Sequence, residues 1–567
     1  MSDIYINLDA SKDMTYNAIV VGSGISGGWA AKELTEKGLK VLMLERGGDY
    51  RHVRDYNDSS VFEREHRSKA TIAESIIRPD IVTWMQKEQV MKSWVDETKE
   101  GKYTEVKPFK WVRSYRLGGR STLWGRQSYR WSDLDFEANA KEGIAVDWPI
   151  RYKDIAPWYD HVEKFVGISG SAEGLSHLPD GQFLPPFELN IVEKQAQKNL
   201  AEKLNGRRMF IGRVANLTKP VEGRLNCQFR NRCWEGCHFG AYFSTQSSTL
   251  PAAAKTGNLS LAVNSLVTRV LYDKDSKKAT GVEVLDTETN QTYEYKSKIV
   301  FLCASALNST WVLMNSATDV WEGGLGSSSG ELGHNVMDHH YNLLTYGRME
   351  GFKDYAEFGN RPTGIYIPRF ANVGNDKRTA YLRGFGYQGG AAKADWSRGS
   401  NMPGFGADFL DDISKGGDWN FRLMAFGEVL PDHSNKITLD RENKDPWGLP
   451  VLSMDAELKA NEMAMRKDMM EESVAMQEAF GAKDIIRIDQ GHDMGHGIHE
   501  MGTARMGRDP KTSVLNSNNQ VWDAPNVFVT DGACMTSASC VNPSLTYMAL
   551  TARAVNFAVE SLKKQEL

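Results

Sequence analysis

The chain has 567 residues, 41% of them hydrophobic and 25% charged, with a formal net charge of −5. That length exceeds one ordinary core and predicts two or more domains. The balance of 68 basic and 73 acidic residues leaves no electrostatic footprint for nucleic acid, and no apolar run approaches the ~20 residues of a membrane span.

Residues 1–14 are polar, without the basic and apolar regions of a secretory signal. Alone, this predicts a cytoplasmic chain; export in the folded state with a signal-bearing partner is the alternative. Six cysteines are too few for a disulfide framework.

The strongest local signal is residues 15–45. An apolar strand over 18–21 leads into a loop with Gly22, Gly24 and Gly27, a helix to about Lys37, and a second apolar strand ending at Glu45. Gly22 permits the tight turn, Gly24 lets a pyrophosphate approach the backbone, and Gly27 lets helix pack on strand. The helix N-terminus offers free N–H groups to that phosphate. Glu45, 23 residues after Gly22, stands where an acid binds a ribose hydroxyl. A ligand-free glycine turn does not account for Glu45. FAD and NAD both remain open at this point. Ser23, inside the loop, and Arg46, opening the turn after Glu45, complete this candidate set.

Residues 51–106 are highly charged with scattered apolar positions. They read as an insertion that covers a cofactor, meets a partner, or is simply a solvated excursion. The stretch RSYRLGGRSTLWGRQSYRW, 113–131, then sets Gly118, Gly119 and Gly125 among Arg116, Ser121, Thr122 and Trp124. Adjacent glycines with small hydroxyl residues suit a backbone pressed against a flat ligand.

Residues 226–241, NCQFRNRCWEGCHFGA, place Cys227, Cys233 and Cys237 within eleven positions. Thiolates are soft ligands for an iron–sulfur cluster or zinc. Zinc held with His238, three reduced thiols, and a single disulfide are the other readings. Residues 259–286 alternate as strands around a polar turn, and 298–317 read as strand, turn and helix. From 341 to 494 strand-like stretches recur, which fits an antiparallel sheet forming a substrate wall, and 461–480 read as one amphipathic helix. His492, His496 and His499 lie in GHDMGHGIHEMGTARMG. Imidazoles are common zinc ligands, but the interspersed glycines oppose a helix that would converge them.

Four blocks, GSGISGG, LGGRSTLWG, HEMGTARMG and VTDGACMTSASCVNPSLTYMALTARA, together resemble the glucose–methanol–choline (GMC) oxidoreductase family, in its bacterial sugar-dehydrogenase and pyranose-oxidase branch. The resemblance implies an FAD flavoprotein that oxidises alcohols. The implied fold is α/β. A discontinuous Rossmann-like FAD-binding domain, of the GMC and p-hydroxybenzoate hydroxylase type, covers 1–340 and 495–567. An α+β substrate domain with an antiparallel sheet covers 341–494. Pyranose oxidases carry a flavin-bonded His in a Ser-Thr-His-Trp loop. Leu123 takes that place here, which implies non-covalent FAD.

By the same resemblance, Val267 passes the adenine, Ser305 stands where the family has Gly, residues 330–340 close the FAD domain, and Asp531 and Gly532 make the last FAD contacts. Thr546, near the start of the last helix, is a polar contact to the flavin pyrimidine. His499 matches the catalytic base and Asn542 the second catalytic position. The cysteine segment resembles that of flavin subunits holding a 3Fe-4S cluster.

The activity implied is a sugar dehydrogenase acting on a secondary ring hydroxyl, C3 of a glucoside favoured. Electrons then pass to a cytochrome c-type partner, and a small subunit with an export signal carries the chain to the periplasm. A gluconate or glucose dehydrogenase and a pyranose oxidase are alternatives. A redox-sensing flavoprotein scaffold is a non-enzymatic one, against which the His499 and Asn542 pair argues.

Overall fold

The computed structural model describes residues 4–8, 15–51, 54–55, 101–230, 233, 236–357, 359–394, 398–399 and 402–567. Most of the charged insertion 51–106 lies outside the described residues.

The apolar run at the N-terminus forms β1 (Thr15–Val21), whose last four residues are buried, as a strand covered on both faces requires. Helix α1 (Ile25–Glu36) and strand β2 (Val41–Leu44) follow. Four further strands come from the middle of the chain: β3 (Leu259–Ala262), β4 (Ser265–Asp273), β5 (Lys278–Asp286) and β6 (Thr292–Leu302). β1 pairs in parallel with β2 and with β6, Ala18 opposite both Val41 and Ile299. β3 extends the sheet beyond β2. β4 and β5 form an antiparallel excursion on β6, with the polar turn between them as the alternation predicts. Helix α2 (Ala306–Asn315) leaves the end of β6.

The chain then builds a six-stranded antiparallel sheet from β7 (His339–Met349), β8 (Ile365–Ile367), β9 (Phe385–Lys393), β10 (Trp419–Glu428) and β11 (Lys483–Asp489), in the order β11-β7-β10-β9-β8. The sixth strand is the short Phe210–Ile211, lent from much earlier in the chain. Helix α3 (Ala460–Phe480), the predicted amphipathic helix, packs Met465, Met469, Met476 and Phe480 onto this sheet. Residues 436–444, which also look like members of that sheet, instead pair with 450–455 in a separate three-stranded sheet.

Two strands return to the first sheet, β12 (Gln520–Val521) and β13 (Ala524–Val529). β13 lies parallel to β6, with Val527 opposite Val300. Helix α4 (Ser544–Lys563) closes the chain, buried along much of its length against α1. The first sheet therefore runs β12-β13-β6-β1-β2-β3. The loops after β1, β6 and β13 are brought to one edge, where parallel sheets bind ligands.

Candidate active site

Three chain segments separated by hundreds of residues meet at that edge. The loop after β1 is tight because Gly22 takes φ +91°, with its N–H donating to Leu44 O. A side chain there would meet the Cys303 carbonyl at 2.6 Å. Ser23 then does what the sequence reading does not foresee. Its N–H and hydroxyl donate to the Glu45 carboxylate, and its oxygen accepts from Gly118 N–H at 2.8 Å. Glu45 also accepts from Gly47 N–H at 2.8 Å. Burial pushes the Glu45 carboxyl up, against these donors. Glu45 lines the cavity as expected, but it also locks the first glycine loop to the second.

The second loop turns through Gly118, at φ +89°, into a short 3-10 turn over Gly119–Thr122. Ser121 donates to Gly118 O and accepts from Thr245 N–H, while Thr245 donates to Gly24 O at 2.9 Å. Trp124 is fixed by its indole N–H on Phe243 O at 2.8 Å. From the C-terminal part, Asp531 accepts from Ser309 and from Ala533 N–H, and burial raises it to about 6. Ser305 sits at φ +79°, ψ 159°. That region is costly for any residue with a side chain, which is the physical reason a glycine suits this position.

These segments line one cavity that opens to solvent. Gly22, Ser23, Gly24, Glu45, Arg46, Gly119, Ser121, Trp124, Gly125, Val267, Ser305, Asp531, Gly532, His499 and Asn542 all line it. Gly27, Arg116, Gly118, Thr122 and Thr546 do not. Gly27 lies under the loop, Arg116 donates to Thr122, and the Thr546 hydroxyl pairs with Tyr159 Oη at 2.7 Å. Tyr547 lines the cavity where Thr546 was expected. No residue of β8 to β11 lines it either; the second sheet reaches the cavity through Gln388, which donates to Asn542 Oδ1 at 2.7 Å.

The cavity fits a dinucleotide. Gly24 has nothing within 4 Å of where a Cβ would project, leaving backbone open to a phosphate. Among the described residues the buried Tyr547 hydroxyl has no hydrogen-bond partner.

Beside it, the His499 ring is held by two neighbours that sequence reasoning passes over. Its Nδ1 lies 2.9 Å from Nδ1 of His339, and its backbone N–H donates to Asp338 at 3.0 Å. Asp338 also accepts from His339 N–H and Gly497 N–H. Burial and the neighbouring Glu500 carboxylate push Asp338 up to about 7, against those donors. Burial, then His339 and the Arg120 charge, hold His499 well below the usual imidazole range. Arg120 pairs through both nitrogens with buried Glu500, at 3.2 and 2.7 Å, and donates to Ile498 O at 3.0 Å. Ile498, a β-branched residue, stands at φ +57°, an outlier that these contacts hold in place. The only sequence signal for this group is the Asp-His-His run at 338–340.

Cys227, Cys233 and Cys237 line a smaller cavity with Arg126, Asn216 and Arg361. All three are unpaired thiols, and burial with the nearness of the other two raises Cys227. Among the described residues no three His, Cys, Asp or Glu side chains are gathered to hold a metal ion, either here or around His492, His496 and His499. His496 Nδ1 is instead engaged by Asn342 at 2.7 Å. No helix among the described residues is long and apolar enough to cross a membrane.

Comparison with known proteins assigns this architecture. GMC oxidoreductase family models match residues 17–341 and 431–551. A 2-methyl-1,2-propanediol dehydrogenase of Mycolicibacterium austroafricanum is 28% identical over 97% of this chain and 96% of its own. The fructose dehydrogenase large subunit of Gluconobacter japonicus is 23% identical over 98% of this chain and 100% of its own. A C-glycoside 3-oxidase of Microbacterium trichothecenolyticum is 25% identical over 54% of this chain and 55% of its own. Among solved structures, a mutant formate oxidase of Aspergillus oryzae RIB40, described for the effect of the mutation on FAD modification, superimposes with a TM-score of 0.60, at 12% identity over 97% of this chain and 99% of that one. The two glycine loops, the cavity-lining histidine and the family match converge: the chain belongs to the GMC oxidoreductase family, as an FAD-dependent oxidoreductase of sugars or alcohols.

Proposed function

We propose that the chain is a dehydrogenase that oxidises a secondary ring hydroxyl of a sugar or glycoside, C3 of a glucoside favoured. His499 is the base and Asn542 its partner. The observation that carries this is a partly buried imidazole, held well below the usual histidine range, and an oriented amide lining the same cavity as two glycine loops. FAD, held without a covalent bond because Leu123 offers no nucleophile, supplies the hydride acceptor. Gly22, Ser23 and Gly24 would hold its pyrophosphate, Glu45 its ribose hydroxyl, Val267 its adenine side, and Gly119, Ser121, Trp124, Ser305, Asp531 and Gly532 the remainder. His499 takes the hydroxyl proton; a general base contributes roughly 10²–10⁴ in rate. Gln388 occupies Asn542 Oδ1, so the Asn542 NH₂ is the end left to donate to the substrate oxygen.

The likeness to a C-glycoside 3-oxidase supports the C3 preference. The higher identity to a propanediol dehydrogenase favours a second reading, a small vicinal diol. An anaerobic panel of sugars, glycosides and 2-methyl-1,2-propanediol tests both. Bleaching of the flavin absorbance with a 3-keto glycoside as product is the expected result, and bleaching by the diol alone replaces it. Fast peroxide formation in air would instead mark an oxidase. Acid precipitation is expected to leave FAD in the supernatant.

The domain division belongs to the same reading: an FAD part from 1–340 and 495–567, a substrate part from 341–494, with Phe210–Ile211 lent to the latter. So do a small signal-bearing subunit, a cytochrome c-type acceptor and a periplasmic site of action. A relative named as a large subunit supports the first of these. A 3Fe-4S cluster on the three cysteines belongs to this reading too; among the described residues they are not gathered as a metal site, and the proposed proton chemistry does not depend on one. Iron with acid-labile sulfide in anaerobically purified protein would place a 3Fe-4S cluster at Cys227, Cys233 and Cys237; zinc, or no metal, removes it.

A further inference from the structure

We propose that His339 is a positioning residue that sets the tautomer of His499, so that Nε2 of His499 is the bare nitrogen facing the cavity. The inference rests on His499 being the base, and it follows from three atoms in a row. His339 Nε2 lies 3.3 Å from the carbonyl oxygen of Ala538. A carbonyl can only accept, so that nitrogen carries the hydrogen. In a neutral imidazole the other nitrogen is then bare, and His339 Nδ1 is an acceptor. It stands 2.9 Å from Nδ1 of His499, with the rings edge to face at 80°. Two bare nitrogens would repel at that distance, so His499 Nδ1 carries the hydrogen and donates it. His499 Nε2 is left with its lone pair.

The arrangement depends on His339 staying neutral. A protonated His339 would donate from Nδ1, force His499 into the opposite tautomer and put a hydrogen on Nε2, where the base is needed. Burial holds His339 at about 4. The charged and titratable groups facing the two rings are Arg120, which disfavours a second positive charge on His499, Asp338 and Glu500 beside the backbone between them, and His340 with Arg466 behind it. When the substrate O–H bond breaks, its proton forms an N–H bond at His499 Nε2, and the hydride from carbon goes to the flavin. The imidazolium so formed still donates Nδ1–H to a neutral acceptor, so nothing in the pair has to rotate. Ala538 lies in the C-terminal block and His339 at the start of β7, so the tautomer of the base is fixed jointly by both sheets' ends.

The test uses the holoenzyme labelled with ¹⁵N-histidine. Long-range proton–nitrogen correlation, with His499→Asn identifying the missing ring, is expected to show protonated Nδ1 and bare Nε2 at His499. In His339→Leu the ring is expected to take on Nε2–H character. There the limiting rate of flavin reduction, with the best substrate of the panel, should fall roughly 10²-fold at nearly unchanged half-saturation. His339→Asn, whose Oδ1 can stand where Nδ1 stands, is expected to recover most of that rate. FAD content and melting temperature control for folding in both variants. An Nε2–H tautomer in the wild type, or equal rates in His339→Leu and wild type, would overturn the proposal. If no substrate bleaches the flavin, the proposed function fails, while the nitrogen spectrum still decides the tautomer.

Discussion

His499→Ala is expected to bind FAD normally and to lose reduction of the flavin by substrate, by about 10²–10⁴-fold. The fold should survive because the ring contributes little to it: its hydrogen-bond partner is the His339 ring, and the contact that shapes the chain, backbone N–H to Asp338, remains in alanine. FAD should survive because the glycine loops that would hold it are tied to each other through Ser23 and Thr245, not through His499. Anaerobic stopped-flow absorbance reads the rate, and the ratio of flavin to protein absorbance reads occupancy. Near-normal reduction would remove His499 from the chemistry.

The same environment sets the pH dependence. Burial, His339 and Arg120 depress the His499 pKa in the folded protein. A depressed pKa keeps the neutral, proton-accepting form present at pH values below the ordinary ~6.5 of histidine. The reduction rate at saturating substrate is therefore expected to stay level as pH falls through that value. A free-histidine profile, halving near it, would mean that the ring is more solvated than its surroundings indicate.

How much of this was legible in the sequence depends on distance along the chain. The turn at Gly22, the helix behind it and the acid at Glu45 fall within 31 residues, and the structure reproduces them in order. Local chemistry suffices there, because strand, turn and helix are written in consecutive residues. His499 and Asn542 were legible only as members of a family pattern. Their neighbours carry no signal beyond the Asp-His-His run at 338–340. His339 meets His499 across 160 positions and Arg120 meets Glu500 across 380. No periodicity encodes such contacts; they exist because β7 starts at the C-terminal loop and because the second glycine loop reaches the same loop through Arg120. Glu45 shows a subtler limit. Its spacing marks a ribose ligand, yet its carboxylate is engaged by Ser23 and Gly47, a use that spacing cannot reveal. Alternation over 341–494 predicts the antiparallel sheet that most of these strands form, but not the separate pairing of 436–444 with 450–455, because it says only which side chains share a face. It could not show that the sheet meets the cavity-lining residues through Gln388, on Asn542, and through His339, on His499.

Gly27→Ala and Gly24→Ala are expected to fail in different ways, although both alter the same short loop. A Cβ on Gly27 would lie 1.9 Å from the carbonyl oxygen of Gly22. That oxygen belongs to backbone at the end of β1 and cannot step aside, so α1 must lift off the strand it packs on. Overpacking of this kind costs about 1–3 kcal/mol or more, and each kcal/mol lowers the melting temperature of a domain this size by roughly 2–4 °C. Gly27→Ala should therefore melt several degrees low even without FAD. Gly24 presents the opposite case. Its φ of −65° suits any residue, and a Cβ there meets nothing within 4 Å. Gly24→Ala apoprotein should melt like wild-type apoprotein. Its methyl group would instead fill the space through which a pyrophosphate approaches the backbone. FAD affinity is expected to fall at least about tenfold, equivalent to ~1.4 kcal/mol. Thermal melts of apoprotein, paired with FAD titrations, separate the two effects. Wild-type FAD binding by Gly24→Ala would move the pyrophosphate away from this loop. Equal melting of the two apoproteins would mean that α1 can slide, and that the close contact beneath the loop is not what sets its shape.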